Sequence, residues 1–271
     1  MSLVWAALSP HPPILIPNIG KENLNKLEKT QQAFAELKDS LYLSQADTLL
    51  VITSHGVKID NSFVINQGTL KDNENIYLAN FEEFGDFETK YEWIPDVYLS
   101  YKVRTFLEGN IPIKTINDEN LSHGVSVPLS LLLNKNTEKQ VLVLHTSNLN
   151  KENHIKVGEY LKEIIMTQDK KIAVLASGDL SHRLDDSSPL EPTSAGPEFD
   201  QFIREKLQEK DYQALIDMDE KLIENAGECT YKPLLIILSL LKNYNWEFKE
   251  LSYEKPFGVG YLNGEFKINS L

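Results

Sequence analysis

The chain alternates short apolar runs with longer amphipathic segments, and this alternation limits the folds open to it. The runs are rich in Val, Ile, Leu and Ala: Leu3–Leu8, Thr48–Thr53, Ile111–Ile116, Gln140–Leu144 and Lys171–Ser177. Short apolar runs bounded by turn residues are typical of buried strands. Strands that alternate with helices predict an α/β fold with a mainly parallel central sheet.

The segments between these runs carry apolar residues at helical spacing. Residues 22–43 place Leu24, Leu27, Phe34, Leu37 and Leu41 on one face, which predicts an amphipathic helix. Helices are also predicted at 87–108, with Pro95 as a break or a helix start, and at 127–133, 151–167, 198–210, 212–223 and 227–241. Short β segments are predicted within 61–81, 248–253 and 257–262. No stretch reads as a flexible linker, so we predict one domain over 1–271, with helices flanking the sheet.

Composition and charge limit the classes of partner that the chain can bind and the cellular compartment in which we expect it. The chain has 27 basic and 40 acidic residues, a formal net charge of −13, which disfavours nucleic acid as a partner. No long apolar stretch predicts a membrane span, and Met1–Trp5 lacks the features of a signal peptide. The single cysteine, Cys229, excludes an intramolecular disulfide and fits a reducing compartment. We therefore expect a cytoplasmic protein, with a homodimer as the prior expectation for its assembly.

Histidines recur just after the predicted strands or in turns near them. Five of the six follow this pattern: His11, His55, His123, His145 and His182. A single such histidine is more often structural than functional. Because neighbouring parallel strands bring their carboxyl ends to one crevice, we expect several of the five to meet there. We interpret His145 as structural, and we expect His154, inside a polar helix, to lie on the solvated surface.

Several neutral imidazoles in one crevice indicate a metal site. Two histidines and one carboxylate, with open coordination positions, serve non-haem Fe(II) oxygenases, and the same ligands serve catalytic zinc. Two residues are candidates for the carboxylate. Asp179 lies in Gly178-Asp179-Leu180-Ser181-His182, directly after a predicted strand. Glu228 lies at the predicted start of an apolar helix, where the helix N-terminus would stabilise a carboxylate even without a metal.

A set of short motifs, in order along the chain, resembles a known enzyme class. The motifs are Ser9-Pro10-His11-Pro12-Pro13, Thr53-Ser54-His55-Gly56, Leu121-Ser122-His123-Gly124, Ser177-Gly178-Asp179-Leu180-Ser181-His182, Gly227-Glu228-Cys229 and Pro256-Phe257-Gly258-Val259-Gly260-Tyr261. Together they resemble the class III extradiol ring-cleavage dioxygenases, and more narrowly the LigB-like module of the AmmeMemoRadiSam proteins, relatives of Memo. The resemblance covers nearly the whole chain.

The resemblance implies a role for each matching residue. His11 and His55 match the two iron-binding histidines, Glu228 matches the ligating carboxylate, and His182 matches the acid/base histidine. The implied cofactor is Fe(II), with zinc or another divalent metal as alternatives. The implied reaction is ring opening of a catechol or a related small aromatic diol by O₂.

The resemblance also implies residues that contact the substrate or order the pocket. His123 matches a second pocket histidine near substrate and oxygen, and Asp179 becomes a pocket residue that orients its loop. Two alternatives remain open at this point. One is a Memo-like metal-binding module with a redox or protein-interaction role, and the other is a zinc hydrolase with His182 as its base.

Overall fold

The computed structural model describes residues 2–71, 74–135 and 137–269, which form a mixed sheet flanked by helices. Its strands are β1 (Leu3–Ser9), β2 (Thr48–Thr53), β3 (Phe63–Asn66), β4 (Thr69–Lys71), β5 (Glu74–Ala79), β6 (Glu92–Pro95), β7 (Ile113–Ile116), β8 (Asn120–Leu121), β9 (Gln140–His145), β10 (Ile172–Ser177), β11 (Asn245–Glu254) and β12 (Tyr261–Asn269). Its helices are α1 (Pro17–Gly20), α2 (Glu28–Leu43), α3 (Val97–Leu107), α4 (His123–Leu132), α5 (Lys151–Met166), α6 (Ala195–Glu209), α7 (Tyr212–Ile216), α8 (Glu220–Ala226) and α9 (Tyr231–Leu241). Short 3₁₀ segments occur at Pro13–Leu15, Lys21–Leu27 and Glu82–Phe84.

The strand order confirms the predicted α/β class. The sheet runs β11-β12-β1-β10-β2-β9-β6-β5-β4, with β3 and β7 paired beside β9, and β8 beside β5. Strands β1, β10, β2, β9 and β6 pair in parallel, whereas β11 and β12 form an antiparallel hairpin at the edge next to β1. None of the described helices is long and apolar enough to cross a membrane.

Both faces of the parallel centre are covered, which explains why its strands are continuous apolar runs rather than alternating ones. In β2, Leu50 and Ile52 pack into one layer with α3, α5, α6 and α9. Leu49 and Val51 pack into the opposite layer with α2 and α4. The polar carboxyl ends of the strands are the exception to this apolar pattern.

Those carboxyl ends lie in one register. Ser9 of β1 pairs with Ser177 of β10, Ser177 pairs with Thr53 of β2, and Thr53 pairs with His145 of β9. The loops that leave β1, β2 and β10 therefore start side by side. This is the edge at which the sequence places most of its histidines.

The helix predicted at 87–108 is wrong in its first part. Residues 92–95 form β6, in which buried and exposed side chains alternate and Trp93 is buried. Proline disfavours the helical conformation in the residue before it and cannot donate a ladder hydrogen bond, so Pro95 ends the strand rather than continuing a helix. Asp96 then caps α3, since its Oδ1 accepts a hydrogen bond from the Leu99 amide at 2.9 Å.

Two other boundaries also differ from the sequence-based expectation. The helix predicted at 212–223 is divided into α7 and α8, and Asp219 caps α8 by accepting a hydrogen bond from the Lys221 amide at 3.0 Å. The strand predicted at 257–262 begins only at Tyr261, after a turn.

The expectation that His154 lies on the surface is wrong. His154 is fully buried, and its ring centroid lies 4.8 Å from that of Phe63. Its Nδ1 donates to the Asn150 carbonyl at 2.9 Å, and its Nε2 accepts from the Ser147 amide at 3.4 Å. His154 lies on the inner face of α5 together with Val157 and Leu161. Its position on this face of the helix therefore determines its burial, although its neighbours in the sequence are charged.

The burial of His154 predicts a pH-dependent stability. Burial lowers the pKa of His154 to about 4, from an ordinary value near 6.5. Between these two values the unfolded chain binds a proton at this site and the folded chain does not, so stability falls as the pH falls. We expect the free energy of unfolding of the wild type to fall more steeply than that of His154→Gln, by up to about 1.4 kcal/mol per pH unit in this window. Urea unfolding of both proteins at several pH values checks this, and parallel stability profiles would contradict it.

The contact between α5 and α9 depends on a glycine. A Cβ at Gly158 would meet the Ile236 carbonyl oxygen, and it would lie 2.7 Å from Ser239 Cβ. We expect Gly158→Ala to lower the free energy of unfolding by about 1–3 kcal/mol, as overpacking does. Gly109→Ala is the matched control, because a Cβ added there would have no described atom within 4 Å. Denaturant unfolding that finds the two variants equally stable would refute this account of the helix contact.

Candidate functional site

Three predicted histidines meet at the common edge of the parallel strands. His11 lies two residues after β1, His55 lies two residues after β2, and His123 is the first residue of α4. The ring centroids of His11 and His55 are 4.7 Å apart, those of His55 and His123 are 4.5 Å apart, and those of His11 and His123 are 5.3 Å apart. Residues far apart in the sequence therefore form one cluster.

The hydrogen bonds around His11 assign its tautomer. Ser177 Oγ donates to the Gly124 carbonyl at 2.5 Å, so this hydroxyl has only lone pairs to offer to His11 Nδ1, which lies 2.9 Å away. Nδ1 therefore carries the proton, and the lone pair of Nε2 is left free for another partner. Two prolines, Pro10 and Pro12, restrict the loop that carries His11. The His11 amide also donates a hydrogen bond to Asp179 Oδ1 at 2.8 Å, which holds the same loop in place.

His55 is held by close contacts beneath its loop. A Cβ at Gly124 would lie 2.6 Å from Thr53 Oγ1 and 2.9 Å from His55 Cβ, so only glycine lets the start of α4 approach this closely. His145 Nδ1 donates to the His55 carbonyl at 2.6 Å. His145 is buried, and this contact agrees with the structural role predicted for it.

Both candidate ligand histidines are kept neutral by their surroundings. Burial lowers the pKa of His11 well below its ordinary value, and the neighbouring His123 and His182 lower it further. Burial, together with His11 and His123, lowers the pKa of His55 to about 3. A neutral imidazole is the form that binds a metal, because the ring nitrogen must offer its lone pair.

The third residue of the ligand group is Cys229, which is not among the site residues predicted from the sequence. Potential ligand atoms of His11, His55 and Cys229 all lie within 4.8 Å of one another. Cys229 Sγ lies 3.5 Å from His11 Nε2 and accepts from the Asp179 amide at 3.2 Å. Burial raises the pKa of this thiol, and the nearby Asp179 and Glu228 raise it further.

Glu228 is positioned differently from its neighbour Cys229. Its Oε2 accepts a hydrogen bond from the Tyr231 amide at 2.5 Å, at the N-terminus of α9. Burial raises the pKa of Glu228 to about 7. This helix-capping geometry is the one considered as an alternative from sequence. The assignment of Glu228 as a metal ligand stays a prediction.

His182 and Asp179 form a pair beside the ligand group. Asp179 Oδ2 lies 3.8 Å from His182 Nε2 and 3.9 Å from His11 Nε2. His182 Nδ1 donates to the Gly227 carbonyl at 2.7 Å, which leaves the lone pair on Nε2. Burial raises the pKa of Asp179, and the opposing effect of His182 is smaller.

The loop that carries this pair is anchored from below. The Ser181 amide donates to Asp200 Oδ1 at 2.8 Å, and Ser181 Oγ donates to the Ala226 carbonyl at 2.8 Å. Both contacts are buried. They fix the backbone immediately before His182, so its ring is held between the Gly227 carbonyl and Asp179.

A cavity of about 620 Å³ opens beside the ligand group. Its described lining residues are Ser54, His55, Lys58, Ile59, Asp60, Thr146, Ser147, Asn148, His182, Pro189, Leu190, Gly227, Glu228, Cys229 and Lys232. A volume of this size is ordinary for a small-molecule site. A molecule in this cavity would therefore have a candidate ligand thiol, a candidate ligand imidazole and a second histidine within reach.

His123 meets a different part of the surroundings. Its Nδ1 lies 3.6 Å from Glu83 Oε1, and the edge of its ring packs against Phe84 with 5.4 Å between ring centroids. Its ring also packs against His55, with 4.5 Å between the ring centroids, and so belongs to the histidine cluster. His123 thus borders the ligand group.

The donor set fits a divalent transition metal. It combines two neutral imidazoles with one sulfur, and imidazole suits zinc, copper and iron, whereas a thiolate favours the softer of these ions. The free lone pair of His11 Nε2, 3.5 Å from Cys229 Sγ, is the observation that supports this fit most directly.

Comparisons with known proteins agree with this fold. A crystal structure of an uncharacterized protein, JW3007 from Escherichia coli K12, superposes with a TM-score of 0.66 at 15% identity and covers 97% of this chain and 99% of that one. The likeness shows a shared fold. Protein CA_C1420 of Clostridium acetobutylicum is 26% identical over 96% of this chain, which spans only 57% of that relative.

The family comparison covers most of the chain. The model of the LigB family, described as the catalytic LigB subunit of aromatic ring-opening dioxygenase, matches residues 5–263. This range contains His11, His55, His123, Asp179, His182, Glu228 and Cys229. The chain therefore belongs to the LigB family of dioxygenases.

Proposed function

We propose that this chain is a non-haem Fe(II) dioxygenase of the extradiol type, which opens the ring of a catechol or a related small aromatic diol with O₂. Membership of the LigB family supports the reaction class. The observation that supports a metal centre is the grouping of potential ligand atoms from His11, His55 and Cys229 within 4.8 Å of one another. A cavity lined by His55, His182 and Cys229 gives a substrate access to that group.

We assign the metal to His11, His55 and Cys229. The hydrogen bond from His11 Nδ1 to Ser177 supports this assignment, because an outer partner fixes the orientation and basicity of a ligating imidazole. Glu228 remains the alternative third ligand, which requires its carboxylate to leave the Tyr231 amide. When Fe(II) is bound, it supplies the redox chemistry that lets O₂ react with the diol.

His182 is proposed as the acid/base residue. Its Nδ1 proton is held by the Gly227 carbonyl, so Nε2 is available to accept a proton from a diol hydroxyl and return it later. Asp179 Oδ2, 3.8 Å from Nε2, would stabilise the imidazolium formed in between. Asp179 therefore positions and supports two histidines at once, through the His11 amide and through His182.

His123 is proposed to face the substrate and oxygen. It lies against His55, with a ring-centroid distance of 4.5 Å, and Glu83 lies 3.6 Å from its Nδ1. An imidazole at this place can hydrogen-bond an oxygen atom of a bound molecule without itself being a ligand. The ring of Phe84 packs against the edge of the His123 ring, with 5.4 Å between the ring centroids.

A second candidate is a Memo-like metal-binding redox module that does not cleave rings. Cys229 favours it, because a sulfur ligand departs from the two-histidine, one-carboxylate set of extradiol chemistry. Zinc or another divalent metal would fit the same donors. The two candidates predict the same binding residues and differ in O₂ consumption.

The ligand assignment predicts which variants lose iron. Under anaerobic conditions we expect one Fe(II) per wild-type chain, since the described ligand group can hold one ion. In His11→Ala, His55→Ala and Cys229→Ala we expect the affinity to fall by more than the roughly 10–100-fold typical of removing an outer partner. Ser177→Ala should fall within that smaller range. Equilibrium dialysis with metal analysis measures this.

Glu228→Gln is the control for the third ligand. It keeps the size of the side chain and an oxygen that can accept from the Tyr231 amide. We expect it to keep iron. Loss of iron by Glu228→Gln together with full binding by Cys229→Ala would make Glu228 the ligand instead.

The acid/base assignment predicts a separate effect on turnover. We expect His182→Gln to bind iron as the wild type does and to lower kcat for diol-dependent O₂ uptake by about 10²–10⁴-fold. An oxygen electrode with a panel of catechols measures this. Unchanged kcat would remove His182 from the reaction. Iron-loaded wild type that consumes no O₂ with any diol would favour the second candidate.

A further inference from the structure

Two lysines face the cavity that contains the candidate ligands. Lys58 lies three residues after His55, and Lys232 lies in the first turn of α9, three residues after Cys229. The chain as a whole has a net charge of −13, so the two positively charged side chains at this cavity are opposite in sign to the net charge. Within the described part of the chain, neither lysine comes within 4.0 Å of a carboxylate oxygen.

Lys232 is held in place by the backbone of the cavity wall. Its Nζ donates to the Ser147 carbonyl at 2.8 Å, and the Ser147 amide is bonded in turn to buried His154. An ammonium group has three donors, so this bond leaves two of them for a ligand. Lys232 is partly buried, and burial lowers its pKa; the nearby Glu228 opposes this effect, and Lys58 adds to it to a smaller extent.

Glu228 attracts Lys232 electrostatically, but none of the described acidic residues of the cavity forms a close ion pair with either lysine. Glu228 lines the same cavity, but its Oε2 accepts from the Tyr231 amide at the start of α9. Asp60 also lines it and is exposed to solvent. Two ammonium groups that share a cavity repel one another, and a bound anion relieves that repulsion. The hydroxyl of Ser54 and the side chain of Asn148 add neutral polar groups to the lining.

We propose that Lys58 and Lys232 form an anion-binding subsite, which holds a carboxylate or phosphate substituent of the aromatic molecule that enters the cavity. The cavity volume of about 620 Å³ leaves room for a substituent beyond a diol ring. Charge-assisted hydrogen bonds to an ammonium group are stronger than neutral ones, so this substituent decides which diols bind. The binding of a diol ring in this cavity rests on the proposed function, whereas the anion subsite depends only on the two lysines.

Binding measurements with matched ligands test the subsite. Iron-loaded protein is titrated anaerobically by calorimetry with catechol and with 3,4-dihydroxybenzoate, which differ by one carboxylate. We expect the carboxylated diol to bind at least about tenfold tighter, the scale of one charge-assisted hydrogen bond. In Lys58→Met/Lys232→Met we expect the two Kd values to agree within about twofold, with that of catechol unchanged.

Controls separate charge from folding. Lys156→Met removes an exposed lysine of α5 that is not among the cavity residues, and it should keep the preference. Lys58→Arg/Lys232→Arg should keep it as well, because the positive charge remains. Lys58→Met alone changes an exposed side chain and should lower the preference without affecting folding or iron content.

Simple anions make the test independent of the proposed reaction. Benzoate and phenyl phosphate carry the anionic group without a diol, and whichever binds more tightly identifies the group that the subsite prefers. Their lysine-dependent binding would uphold the subsite even if no diol supported O₂ uptake. Equal Kd values for catechol and 3,4-dihydroxybenzoate in the wild type, together with no lysine-dependent binding of benzoate or phenyl phosphate, would overturn it. A preference that survives in Lys58→Met/Lys232→Met would overturn it as well.

Discussion

The common register of the parallel strands is the constraint on which the site depends. Ser9, Ser177, Thr53 and His145 occupy one row across β1, β10, β2 and β9. Because side chains alternate between the faces of a sheet, a slip of one residue in any of these strands would exchange its two buried faces and displace the loop that follows. The close packing of differently shaped side chains in the layers on both sides opposes that slip. Packing of the core thus fixes where the histidines stand.

Desolvation is the second determinant, and it acts in opposite directions on the groups of the site. It lowers the pKa of His11 and of His55, and it raises those of Asp179, Cys229 and Glu228. Each group is thereby driven towards its neutral form. Several ionisable side chains can share this small volume because few of them carry charge. A bound divalent cation would reverse this preference for the thiol, since metal binding requires a thiolate.

The sequence predicts the parts of this arrangement that follow from local pattern. Apolar runs predict the central strands, and the tendency of parallel strands to end at one edge explains why His11, His55 and His182 can be expected near one another. The expectation for His154 is wrong because its charged neighbours suggest a surface helix, whereas its spacing to Val157 and Leu161 puts it on the buried face. That spacing is the signal in the sequence that could have placed it correctly.

The choice between Glu228 and Cys229 could not be made from local pattern. The two residues are adjacent in the segment that enters α9. In the folded chain Cys229 Sγ lies 3.5 Å from His11 Nε2, whereas Glu228 accepts a hydrogen bond from the Tyr231 amide. Lys58 and Lys232 illustrate the same limit. They are distant in sequence, and only the folded chain places both at one cavity.

X-ray absorption spectroscopy of the Zn(II)-substituted protein distinguishes Cys229 from a carboxylate as the third ligand, because sulfur and light-atom ligands differ in bond length. We expect one sulfur at about 2.3 Å together with imidazole nitrogens at about 2.0–2.1 Å, and loss of the sulfur shell in Cys229→Ser. A first shell of only nitrogen and oxygen atoms in the wild type would contradict the assignment of His11, His55 and Cys229 to one metal ion.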